Sequence, residues 1–389
     1  MAIHKMIVIK GINEALDYFM DQIILAIEGA NIKYHVIDVA DKNSYDKKLL
    51  DTFISEDKCI VFMFNNIGLS LEDENGNYWK NKEVRLLNFL VDHPWNFKEY
   101  FENPIENMEI IVLDRYHKEF IEKYYGFQNK IYFIPNGGNS AGIINDKYIP
   151  YSERKIDIFY GGSCQPEVPL KPIMELEDKG YAFYNICFQL QMEYIELPIE
   201  KIIEQYCVHF LEDNDKSLRE KLIFEYGPYL LNMIRRYTKL NIMHTLESTG
   251  ACIHIYGKNW EDKERPWNSN VKIHERVTSE QCLELIGQSK ISLNCMPWFK
   301  DGSSERVFNS MLNGAVCLTD INPYLSENFK NGEDIVFYSI NDLKALKENV
   351  VWLLENPQIS SQIAENGYMS AQNHTWSNRF ELLNSLIDF

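Results

Sequence analysis

No stretch of the chain strings together the ~18 apolar residues that a membrane-spanning helix needs, so no transmembrane segment is expected. The opening MAIHKMIVIK holds a short apolar run that stops at Lys10, which does not read as a secretory leader. The eight cysteines (Cys59, Cys164, Cys187, Cys207, Cys252, Cys282, Cys295 and Cys317) include no CxxC pair. Most stand in apolar surroundings, such as KCIVFMF and GAVCLTD, so buried free thiols in a reducing cytoplasm are expected rather than a zinc site. Positive charge is scarce: 39 Lys and Arg against 57 Asp and Glu leave a formal charge of −18. That balance repels nucleic acid and anionic membranes, although a local basic pocket can still hold a small anion. The loop after the first apolar run, KGINEA, is not GxGxxG, so a dinucleotide fingerprint is missing. The single D-x-D string, Asp213-Asn214-Asp215, lies in the polar stretch LEDNDKSLRE and reads as a solvated loop rather than a metal site.

What is present is a long alternation of strands and helices. A chain of 389 residues exceeds what one core usually fills, which favours two domains. MIVIK, KYHVIDV, CIVFMF, LLNFLVD, EIIVLD and KIYFIP are short apolar runs, and residues 13–29 and 43–55 between them have helical spacing. Such alternation predicts a parallel sheet covered on both faces. Residues 134–155 break the pattern with Gly, Asn and Pro and read as an interdomain connection. A second series follows in IDIFYGG, ACIHIYG, VKIHERV, ISLNCMP, AVCLTD and DIVFYS. Its first two strands are separated by residues 163–250, too long for a plain crossover, so a helical insertion is expected at about 165–235. The expected fold is α/β, with two Rossmann-like doubly wound domains facing a cleft: residues 1–150 and 151–374. The apolar stripe of FYNICFQLQMEYIEL (183–197) is expected to form a homodimer surface or an acceptor lid.

In open α/β sheets ligands gather at the carboxyl ends of strands, and several polar motifs fall there. Gly161, Gly162 and Ser163 end one strand, Gly257 and Lys258 another, and Arg276 and Val277 a third. GSSERVFNSMLNGAVCLTD (302–320) then places Ser303, Ser304, Glu305 and Arg306 at the start of an amphipathic helix, with Asn309 one turn deeper. A Ser cap leaves free N–H groups at the positive end of the helix dipole, an anion site that suits a diphosphate. The Arg306 fork adds charge matched to phosphate oxygens. Arg235 and Arg236 can approach the same anion but read more simply as a solvated helix face. In the first domain, VDHPW puts Asp92 and His93 after a strand. An imidazole titrating near neutrality suits a general base or an electrostatic partner for an acceptor, with Asp92 orienting it. A purely structural His before Pro94 fits as well. Asn65 and Asn66 also end a strand and can meet sugar hydroxyls; Asp114, Arg115 and His117 read as structural.

The order R-V-F-polar-x-x-x-x-G-A, apolar strand, T-D resembles the donor-binding motif of GT-B glycosyltransferases. VDHPW, LDRYH, FIPNGG, IYGKNW and NHTWSNR stand in matching order. The chain is similar to the branch of the "glycosyl transferases group 1" superfamily that includes spore-maturation proteins. The resemblance implies that the second domain binds a nucleotide-activated sugar, usually a UDP-sugar, and that the last helix (375–389) crosses back onto the first domain. It implies metal-independent catalysis without a cofactor, a protein or glycan acceptor, and main-chain contacts to the base near Arg276 and Val277. Relatives usually carry Glu, a partner for the ribose hydroxyls, where Asn309 stands; Glu305, four residues earlier, shares its helix face. Glycosyl transfer to an acceptor hydroxyl is the leading reading. A nucleotide-sugar epimerase of this fold and a non-catalytic nucleotide or sugar binder are the alternatives.

Overall fold

Apolar runs that need cover on both faces become the strands of two parallel sheets. The computed structural model describes residues 5–41, 45–55, 58–141, 149–167, 178–211, 215–262 and 265–387. By its contacts the chain divides into two units: Met1–Asn139 with Gly302–Phe308 and Ala371–Phe389, and Ser140–Asp301 with Asn309–Ser370. The helix Glu305–Leu312 therefore has its first turn in one unit and its remainder in the other.

The first unit holds β1 (Lys5–Lys10), β2 (Lys33–Asp38), β3 (Cys59–Phe64), a two-stranded ribbon of β4 (Glu72–Asp73) and β5 (Gly76–Asn77), then β6 (Val84–Leu90), β7 (Met108–Val112) and β8 (Ile131–Phe133). Its sheet runs β2-β1-β3-β6-β7-β8, all parallel. Every residue of β3 is buried, as a wholly apolar CIVFMF run requires. Asn13 opens the helix Glu14–Gly29 by accepting from the Ala15 N–H at 3.0 Å. Phe19, Met20, Ile23 and Ile27 make its buried stripe. The carboxy-terminal helix Trp376–Leu386 packs on it, with Trp376 5.0 Å from Phe19 and 5.8 Å from Phe64 between ring centres. Removing a buried ring of this kind typically costs about 3–5 kcal/mol, so this helix is an integral part of the first unit.

The second unit holds β9 (Ile156–Gly161), β10 (Ile253–Tyr256), β11 (Val271–His274), β12 (Ser289–Leu293), β13 (Val316–Asp320) and β14 (Val336–Tyr338). Its order, β11-β10-β9-β12-β13-β14, reverses direction between β9 and β12. That point is where open α/β sheets of this order take ligands, at the carboxyl ends. Between β9 and β10 the chain forms helices at Asp178–Glu193, Ile199–Phe210, Lys216–Lys221 and Gly227–Glu247. Asp213 and Asn214 of the D-x-D string lie outside the described residues.

The 183–197 stripe is buried in part. Phe183 is 1% exposed and Cys187 fully buried, and Phe183 meets Tyr206 edge-on at 5.1 Å. Phe183 and Cys187 find their cover inside the helical lobe itself, whereas Phe188, Leu190, Met192 and Ile195 are half-buried and Tyr194 is 38% exposed. Among the described residues no helix is long and apolar enough to cross a membrane.

Candidate functional site

In the second unit the loops after β9 and β10 are laced together. The Lys258 N–H donates to Ser163 Oγ at 3.0 Å, the Trp260 indole to the Gly162 carbonyl at 2.9 Å, and the Cys164 N–H to the Lys258 carbonyl at 2.9 Å. Gly257 permits this closeness: a Cβ there would sit 2.5 Å from the Gly162 oxygen. Gly161, Gly162, Ser163 and Lys258 therefore form one rim, and the Lys258 side chain is exposed on it. Arg276 and Val277 follow β11 on the same edge, just before Thr278, which opens the next helix with a reciprocal cap to Gln281.

The helix Gly227–Glu247 supplies charge that the sequence reading undervalued. Arg236 is not on a solvated face: its guanidinium donates to the Gln165 carbonyl at 2.9 Å and the Asn259 carbonyl at 3.4 Å. Lys239, 3% exposed, donates to the Ser163 carbonyl at 2.8 Å. Arg235 lies 3.9 Å over the Trp298 ring, and the Lys239 ammonium 5.2 Å from it. Trp298 belongs to the loop after β12, so both sides of the reversal point carry these cations. Nothing in the spacing of RRYTKLN announces it, because the partners lie about seventy residues away in the chain for Ser163 and Gln165.

Farther along this edge Asp320 ends β13. Its carboxylate accepts from the Met296 N–H at 2.9 Å, and burial pushes its pKa up to about 6. It lines a cavity of about 120 Å³ with Phe299, Lys300 and Tyr338. Because the folded chain holds this proton more tightly than the unfolded one, Asp320 adds relative stability below the ordinary carboxyl range and loses it as pH rises through about 6. Asp320→Asn is accordingly expected to gain on the order of 2–3 kcal/mol over the parent at pH 8, with the gap closing towards pH 4. Paired urea melts at the two pH values check this.

In the first unit the carboxyl ends of β3 and β6 carry the other predicted residues. Asn65 and Asn66 both take left-handed backbone angles, φ 48° and 62°. Asn65 accepts from the Val91 N–H at 2.9 Å and donates to Asp92 Oδ2 at 2.8 Å. Asn66, 7% exposed, is bonded through both its N–H and its side-chain oxygen to the buried Asn88. Asp92 itself is exposed. His93 differs from expectation. Its ring stacks on Trp95 at 3.7 Å and meets Phe120 edge-on at 4.8 Å, and loss of solvation pushes its pKa down to about 3 rather than leaving it near neutrality. Nδ1 accepts from the Trp95 N–H at 3.3 Å, so the neutral ring carries its proton on Nε2.

The helix start also departs from the sequence reading in detail. Gly302 pairs with Asp114, bringing Ser303–Arg306 beside the end of β7 within the first unit. Ser303 has no exposed surface and its hydroxyl donates to the Ser304 carbonyl at 3.0 Å, so the hydroxyl is already engaged. Ser304 is 2% exposed. Arg306 retains about a quarter of its side-chain surface, with Nε 3.9 Å from Glu305 Oε1. Asn309, 9% exposed, belongs to the second unit.

Residues 235–385 match the family model described as glycosyl transferase-like. No curated protein matches the sequence. Among solved structures the chain is similar to sucrose-phosphate synthase from Thermosynechococcus elongatus, at 10% identity over 98% of each chain with a TM-score of 0.53. It is likewise similar to T4 phage BGT in complex with its UDP-glucose substrate, at 13% identity over 99% of this chain and 100% of that one, TM-score 0.52. The DNA-modifying enzyme β-glucosyltransferase, solved with and without uridine diphosphoglucose, aligns at 13% identity over 98% and 99%, TM-score 0.50. These likenesses establish the fold as GT-B, with two Rossmann-like α/β units.

Proposed function

We propose that this chain, whose fold is GT-B and whose residues 235–385 match a glycosyl transferase-like family model, is a glycosyltransferase that moves a sugar from a UDP-sugar to a hydroxyl of a protein or glycan acceptor. One observation carries the reading. A chain of formal charge −18 nevertheless gathers Arg235, Arg236, Lys239 and Lys258 along the carboxyl edge of its second sheet, a setting that favours an anionic ligand. In this reading residues 151–374 take the donor, including the 302–308 turn that packs with the first unit, and 1–150 with the last helix take the acceptor. Membership of the branch that includes spore-maturation proteins rests on the motifs alone, and a cytoplasmic setting on eight cysteines that form no disulfide.

In the transfer the acceptor oxygen bonds to the anomeric carbon as the bond to the diphosphate breaks, and the electron pair leaves with the diphosphate. Arg306, Lys258 and the N–H groups of Ser303 and Ser304 offset that charge, so the reading needs no divalent ion. Arg276 and Val277 flank the base, with the Gly161–Ser163 rim beside the phosphates; Glu305 and Asn309 serve the ribose. The acceptor proton goes to Asp92. A buried neutral ring already carrying hydrogen on Nε2 is a poor base, so His93 serves by holding the loop beside Asp92 through its contacts with Trp95 and Phe120.

Incubation with a panel of UDP-sugars and candidate acceptors tests this. Acceptor-dependent UDP release with a new glycoside supports transfer. Epimerised donor, or binding without turnover, would select one of the two alternatives instead.

A further inference from the structure

Two motifs, FIPNGG and NHTWSNR, have no part in the reading above, yet they meet in the first unit. The Gly138 N–H donates to the His374 carbonyl at 2.8 Å, and Gly138 pairs with Thr375. Gly137 lies so close to the backbone of Trp376 that a Cβ would collide with it. Arg379, 7% exposed, donates from Nε to the Asn136 carbonyl at 3.3 Å and bonds His374 Nδ1 through Nη2 at 2.8 Å. His374 stacks flat on Phe308, with ring centres 4.9 Å apart and planes within 4°, and the Arg379 guanidinium lies 5.2 Å from the Phe308 ring centre. Phe308 stands on the helix that begins at Glu305. Finally, the Asn136 amide, in a residue 3% exposed, donates to Glu305 Oε2 at 3.4 Å.

We propose that Asn136 is a positioning residue for Glu305, and that Arg379 and His374 in the carboxy-terminal segment hold Asn136 in place for that task. The inference rests on the donor reading. A glutamate in the first turn suits the helix dipole and, in the donor reading, the ribose, but unless its carboxylate is held its charge repels an arriving diphosphate. Asn136 donates to one carboxylate oxygen and Arg306 Nε lies 3.9 Å from the other, so both oxygens of Glu305 have a partner within the first unit. Burial pushes the His374 pKa down to about 4, which leaves its ring a neutral acceptor for Arg379 at physiological pH. At 3.4 Å the Asn136 contact is long, as such bonds often are before a ligand arrives.

A double-mutant cycle over Asn136→Ala and Glu305→Gln, read by calorimetric titration with UDP, tests this. Asn136→Ala is expected to weaken UDP binding about three- to tenfold, by freeing the Glu305 charge. In the Glu305→Gln background, where no charge needs holding, the same substitution should cost less than twofold. A merely structural Asn136 would lower the melting temperature in both backgrounds and show no such coupling. Equal losses in the two backgrounds, or no loss in either, overturn the inference while the donor reading stands. If the parent does not bind UDP, the donor reading falls and the inference falls with it.

Discussion

Asp92→Asn is expected to lower turnover by about 10²–10⁴-fold, the usual range for a lost acid–base group, while UDP affinity stays within about twofold. The neighbourhood of β6 explains why the effect should fall on this residue. Asn65, held in a left-handed conformation, spends its oxygen on the Val91 N–H and its amide on Asp92 Oδ2. Asparagine accepts that backbone more readily than other non-glycine residues, and here it aims one amide at one carboxylate. Next door, burial pushes the His93 pKa down to about 3 and its Nδ1 is occupied, so it has little affinity for an acceptor proton at pH 7. His93→Ala is therefore the milder variant, losing a hydrogen-bond acceptor and a ring stacked on Trp95. Steady-state UDP release separates the two. Near-normal turnover in Asp92→Asn would remove the base from this loop altogether.

Arg306→Ala is expected to weaken UDP binding ten- to a hundredfold and leave the fold intact. Losing one charge-assisted phosphate contact costs about 1.5–3 kcal/mol, which is that range in affinity. The side chain keeps roughly a quarter of its surface exposed, and its 3.9 Å approach to Glu305 is loose enough to be exchanged for phosphate. A cation in the first turn opposes the helix dipole, so its presence makes sense once an anion arrives. Asn309→Glu tests the next turn: restoring the residue usual among relatives should maintain or improve UDP affinity. Calorimetric titration of both variants checks these outcomes, and parent-like binding by Arg306→Ala would reduce the cluster to an ordinary helix start.

Both sheets are legible in the sequence because each strand is a short apolar run that only a doubly covered parallel sheet can bury. CIVFMF and ISLNC are cases, and Gly161, Lys258, Asp92 and Arg276 fall at strand ends by simple counting. What escapes the sequence depends on contacts between distant segments. Arg236 reads as a surface residue until the loops at Gln165 and Asn259 close on it. Ser303 reads as a free donor until its hydroxyl turns onto the Ser304 carbonyl. A titration near neutrality is a fair expectation for His93 in isolation, and only packing against Trp95, His117 and Phe120 removes it. Within the 183–197 stripe Phe183 is covered by Tyr206 and Tyr226, which lie in later segments of the chain.

The structure of the protein with UDP bound is the most direct test of the central claim. The account predicts the diphosphate at the N–H groups of Ser303 and Ser304, in contact with Arg306. A diphosphate bound elsewhere, with the Ser303–Arg306 turn untouched, would contradict it.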